Sequence, residues 1–141
     1  MTIATRVRSL GERECWSLLG GSEMGRLCYT EAAMPVVRAV PFEVAGAGIV
    51  VALRASTVRA GAFEKPTIVA FEAGEWARGR RRGWSVQVVG RALAVPGHPV
   101  TGLSWMDGEA TVYVRVNADV LSGERVGPAC DARTLPRPRG G

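Results

Sequence analysis

The stretch RRRGWSVQVVGRAL, Arg80–Leu93, decides the fold. From Trp84 the side chains alternate. Trp84, Val86, Val88, Gly90, Ala92 and Ala94 point to one side, and Ser85, Gln87, Val89, Arg91 and Leu93 to the other. A period of two marks a strand with one buried face. Three arginines and a tryptophan stand at its mouth. Fixed positive charge beside an indole suits a nucleic acid, or a cofactor with phosphate at one end and an aromatic ring at the other. A solvated turn ahead of a strand carries the same residues with no ligand.

Outward from this strand, Trp84–Val95, the same rhythm predicts strands over Met24–Thr30, Pro35–Ala45, Ile49–Arg54, Thr67–Glu72 and Thr111–Asn117. Gly46-Ala47-Gly48 is a hairpin signal between two of them. TIVAFE, Thr67–Glu72, reads as buried on both faces, Ala73–Gly83 as a polar loop, and Thr57–Lys65 as a short helix. Ahead of the strands, Ser9-Leu-Gly-Glu12 is a capping-box pattern. It opens an amphipathic helix carrying Leu10, Cys15, Trp16, Leu18 and Leu19, with Trp16 as its core anchor, and Gly20-Gly21 stops it.

These elements predict a mainly β fold: a six-stranded antiparallel barrel with a leading α-helix and short connecting helices. Closure removes sheet edges that invite pairing with other chains. Pro41 conflicts with a central ladder position. It demands an edge, a bulge, or a place where the backbone faces something other than a strand.

The chain has 141 residues, one domain's worth, and 47% are hydrophobic, too many for a disordered chain. No apolar run reaches the ~18 residues of a membrane span, and the first residues lack the apolar stretch of a secretory signal. Cys15, Cys28 and Cys130 are odd in number and widely spaced, which argues against a disulfide framework and a zinc site and for a cytoplasmic protein. Cys28 reads as a small buried hydrophobe. His98 lies between prolines, in a loop, with no second metal ligand in view. Nothing marks an activated thiolate, a Ser-His-Asp set or paired carboxylates, so no residue is nominated as catalytic.

The net charge is +5, and all 18 basic residues except Lys65 are arginines. Arg133, Arg137 and Arg139 fall in a flexible tail, residues 128–141, leaving residues 1–127 as the folded domain. Arg91, on the polar side of its strand, is either an ion pair to Glu72 or a similar carboxylate, or the wall of a cleft. Trp76 in the polar loop reads as an exposed lid or subunit contact, and Trp105 as an anchor. A basic barrel also suggests nucleic acid, but only 6% of residues are aromatic and they are scattered, unlike the stacking platforms of single-strand binders.

The order of segments ECWSLL, MGRLCYT, MPVVRAVPF, LRAST, IVAFE, GWSVQVVGRA, LSWMDG and VYVRVNADVLSGERV resembles the pyridoxamine 5′-phosphate oxidase-like flavin-binding split β-barrels, across residues 9–126. The resemblance implies a homodimer holding flavin mononucleotide (FMN) in clefts between subunits, with a small-molecule substrate and no membrane role. It implies that Arg38, Ala39, Val40, Pro41 and Phe42 pass the flavin ring, that Arg54, Ser56, Thr57 and Arg59 hold the phosphate, and that Trp84 and Ser85 lie near the cofactor, lent across the dimer. Guanidinium forks with short hydroxyl donors are the chemistry a phosphate monoester needs, and a helix opened by Thr57 adds its dipole. The implied activity is a flavin-dependent oxidoreductase in which the cofactor does the chemistry.

Two departures stand out. The family reads Pro-Val-Asn-Phe where this chain reads Ala39-Val40-Pro41-Phe42, and the phosphate segment is a residue shorter, with Arg59 in place of Lys. They leave deazaflavin F420, haem or no cofactor as alternatives. The last would be a barrel binding a small anionic metabolite or a protein partner.

Overall fold

The computed structural model describes residues 5–79, 81–96 and 110–128. The expectations for Arg80, His98, Trp105, Cys130 and the tail arginines lie outside the described residues. In chain order the elements are β1 (Thr5–Ser9), α1 (Glu12–Gly20), β2 (Met24–Glu31), β3 (Met34–Ala45), β4 (Gly48–Arg54), a 3-10 turn (Ala55–Thr57), β5 (Thr67–Ala77), β6 (Arg82–Val95), β7 (Thr111–Asn117) and β8 (Val120–Pro128).

The predicted barrel is present. β6, β5, β2, β3, β4 and β7 pair in turn, all antiparallel, and β7 returns to β6 to close the ring. Each of the six segments with period-two alternation supplies one barrel strand. β6 is long enough to take two partners on one edge: residues 83–89 pair with β8 and residues 92–95 with β7. Gly90 sits at the changeover. A Cβ there would lie 1.8 Å from the Asn117 carbonyl oxygen, so only a glycine lets the chain pass from β7 to β8 over β6.

The inward-facing set read from β6 is correct: Trp84, Val86, Val88 and Ala92 are all in the core. Phe42 and Phe71 meet edge to face inside the barrel, 4.7 Å between ring centroids. α1 packs against β3, β6 and β8, burying Cys15 and Leu19. Gly123 of β8 opens the space: a Cβ there would stand 2.9 Å from the Cys15 sulfur. Burial, and then the neighbouring Glu14 carboxylate, push the Cys15 thiol above its ordinary pKa.

Several expectations are corrected. Ser9 ends β1 instead of capping α1, whose N-cap is Gly11 with no side-chain cap bond. Trp16 is only half-buried; Leu10, Cys15 and Leu19 are the anchors. Thr57 closes a 3-10 turn and opens no helix, and residues 58–66 are irregular, with turns and bends between them. Thr67–Glu72 is buried on one face only, since Ile68 is 65% exposed. Much of the polar loop is strand, because β5 runs on to Ala77 and β6 begins at Arg82 as a hairpin. Cys28 is half-buried. Arg91 does make the ion pair that one of its readings expected, but its carboxylate is Asp119 at 3.2 Å, while Glu72 pairs with Arg26 at 2.8 Å.

β1 and β8 escaped the pattern. TRVRS of β1 is exposed throughout, and VLSGERVGP of β8 mixes glycine, charge and valine with no clean alternation. Neither completes the barrel; they extend the sheet outward from β6 in the order β6-β8-β1.

Candidate functional site

The ladder between β3 and β4 is short. It runs from Phe42↔Val51 to Ala45↔Gly48, while residues Met34 to Pro41 of β3 pair with the whole of β2. Beyond Phe42, β4 leaves β3 and continues along β7 to Arg54. The two strands therefore part at Pro41, and a groove of about 420 Å³ opens between them. Among the described residues no second strand covers β3 there.

This parting explains the proline. Phe42 N–H donates to the Glu23 carbonyl at 3.0 Å, toward the β2 side. By strand alternation the backbone groups of Pro41 and Ala39 then face the groove edge. A proline has no N–H to leave unpaired at the point where the ladder ends. The expectation of an edge or non-strand neighbour at Pro41 is met.

One wall of the groove is apolar, with Met24, Val37, Val40, Pro41 and Leu53. The other end is cationic and polar, with Arg38, Arg54 and Thr57. The 3-10 turn is tied down by Ala55 N–H donating to the Ala110 carbonyl at 2.8 Å. Thr57 Oγ1 donates to the Arg54 carbonyl at 2.8 Å, which fixes the corner internally. Arg38 Nη2 donates to the Thr57 carbonyl at 3.5 Å, across the groove. Its Nε is buried and has no hydrogen-bond partner. A guanidinium donor held out of water without an acceptor costs free energy that an anionic ligand would recover. The residues present therefore fit a group with an apolar ring and a phosphate.

The structure brings six of the eleven sequence-derived site residues to this groove: Arg38, Ala39, Val40, Pro41, Arg54 and Thr57. Ser56 is exposed beside it. Arg59 lines a neighbouring hollow of about 330 Å³ with Val58, Phe63 and Val112. The Phe42 ring is turned into the core. Trp84 and Ser85 lie apart. The Trp84 indole is buried and donates to Glu75 Oε2 at 3.3 Å, and the Ser85 hydroxyl donates to Glu72 Oε1 at 3.3 Å. Within one chain neither reaches the groove. Met24 was not foreseen; its place follows from pairing with Pro41, which no local pattern reveals.

Among the described residues no helix is long and apolar enough to cross a membrane, and no cluster of three or more His, Cys, Asp or Glu gathers as a metal site.

The family model for pyridoxamine 5′-phosphate oxidase matches residues 11–125. The uncharacterized protein Rv0080 of Mycobacterium tuberculosis is 29% identical over 146 residues, 93% of this chain and 91% of that protein. A FAD binding protein of Mycobacterium smegmatis superposes with a TM-score of 0.64 at 25% identity, covering 85% of this chain and 98% of that one. A FAD-binding protein of Mesorhizobium loti gives a TM-score of 0.65 at 21% identity, covering 88% and 99% respectively.

Proposed function

Since the chain belongs to the pyridoxamine 5′-phosphate oxidase family, we propose that the β3–β4 groove holds a flavin nucleotide and that the protein is a flavin-dependent oxidoreductase acting on a small substrate. The observation that carries this reading is the Arg38 guanidinium, placed in the groove wall with Nε buried and unpartnered. Arg38, Arg54 and Thr57 would bind the phosphate, and the exposed side chains of Met24 and Val37 would pack on the ring. A bound flavin supplies the hydride or electron transfer; the chain orients it and excludes water.

FMN is the form we favour, because the polar corner is compact and carries the two arginines and the hydroxyl that a terminal phosphate monoester accepts. The FAD binding of the M. smegmatis protein makes FAD the competing form. The reading also includes a homodimer. Trp84 and Ser85 sit outside their own chain's groove, so any part they take requires a second copy.

The test is the visible spectrum of the purified protein and the mass of what it releases on denaturation. A flavin spectrum, with Arg54→Ala weakening flavin binding roughly tenfold as expected for loss of one exposed charge-assisted contact, supports the reading. A colourless protein that takes up neither FMN nor FAD overturns it.

A further inference from the structure

A second cationic hollow lies on the part of the sheet outside the barrel. We propose that the arginines of β1, β6 and β8 form a binding site for a small polyphosphate anion of pyrophosphate type, separate from the β3–β4 groove.

The register builds the site. Arg8 pairs with Arg125, and Arg125 with Trp84; Arg6 pairs with Gly127, two residues along the same strands. Directly paired residues share a face, and residues two apart on one strand do so as well. Arg6, Arg8, Arg82 and Arg125 therefore all project on the side of Trp84, with Gly127 between them. They line one hollow of about 400 Å³. A Cβ added at Gly127 would meet nothing within 4 Å, so the floor there is open.

The charges are not explained by the fold. Arg8 and Arg125 stand directly opposite, where Cβ atoms are about 4.5–5.5 Å apart and like charges repel. Of the four, Arg8 alone has an ion pair among the described residues, to Glu14 at 3.4 Å. Four forked guanidinium groups share this face with two carboxylates, half-exposed Glu14 and, through its pairing with Trp84, exposed Glu75; the excess of positive charge is one that an anion of two or more charges relieves. A hollow of this volume holds a small molecule, and no exposed aromatic lines it for base stacking. That favours a phosphorylated small molecule over a nucleic acid strand.

Pyrophosphate chemistry reaches the site from two sources: a separate phosphorylated metabolite, or the bridge of a dinucleotide cofactor whose ring occupies the groove. Titration calorimetry of the full chain with inorganic pyrophosphate is expected to give saturable binding that weakens with added salt. It should also raise the melting temperature. Arg125→Gln should melt no lower than the parent without anion, since it removes a repulsion, and bind pyrophosphate about tenfold more weakly. Arg54→Ala should leave this binding unchanged, so failure here and failure of the flavin reading are separable. Binding that survives saturation with FAD identifies a separate metabolite, and binding lost on FAD saturation but kept with FMN identifies the cofactor bridge. Absence of saturable binding, binding unaffected by Arg125→Gln, or tighter arginine-dependent binding of duplex DNA overturns the proposal.

Discussion

Arg38 and Thr57 face each other across the groove, with Arg38 Nη2 donating to the Thr57 carbonyl oxygen at 3.5 Å while the Arg38 Nε stays buried without an acceptor. The contact is long for an N–H···O bond and holds the guanidinium loosely. The side chain is thus positioned for a ligand more than committed to the fold.

Arg38→Gln should weaken flavin binding by roughly ten- to a hundredfold, the range for a hydrogen bond to a charged group. The melting temperature of the ligand-free protein should stay nearly constant. Flavin titration by fluorescence quenching, beside a thermal melt of the free protein, separates the two. A large loss of stability with unchanged affinity would make Arg38 a structural residue.

Pro41→Ala should cost about 0.4–1 kcal/mol, because the unfolded chain regains freedom that proline removes. A new N–H at the groove edge has solvent or ligand to meet, so no larger penalty is expected. Urea denaturation measures it. A loss above about 3 kcal/mol would mean that the edge at residue 41 is closed.

Gly90→Ala should destabilise strongly, by about 1–3 kcal/mol or more, since its Cβ would fall 1.8 Å from the Asn117 carbonyl oxygen. Relief requires moving the passage from β7 to β8. A denaturant midpoint unchanged from the parent would contradict the strand changeover on β6.

The Asp119 carboxyl is held below its ordinary pKa, first by the Arg91 side chain and then by the Arg91 backbone N–H. A depressed folded-state value means that the stabilisation is full above the unfolded carboxylate pKa and is lost as pH falls through the lower folded one. Asp119→Asn should therefore lose a small stabilisation at neutral pH, small because the pair is exposed and screened, and converge on the parent in acid, which flattens the acid limb of the stability–pH curve. Superimposable acid limbs for parent and variant would refute the pairing in solution.

The barrel was legible because most of its strands bury one face, and burial of alternate side chains writes itself into the order of residues; β4, buried on both faces from Gly48 to Leu53, shows instead as an unbroken apolar run. Trp84–Val95 shows this most clearly, with every inward residue named from the sequence alone. β1 and β8 bury little, so their composition carries no such mark. Capping was misread at Ser9 because the strand claims that residue first, through its pairing with Glu124.

The site was half legible. Arg38, Arg54 and Thr57 could be picked out as a phosphate-binding set by their kind and their likeness to a family. That β3 and β4 part at Pro41, that Met24 and Leu53 join the wall, and that Trp84 turns away are facts of register between distant segments. Local sequence determined which residues lie in strands and which way each faces, because both follow from a two-residue period. Only the tertiary structure decided where the ladder ends and which side chains meet there. Pairing of strands far apart in sequence is set by the closure of the whole barrel, not by any single stretch.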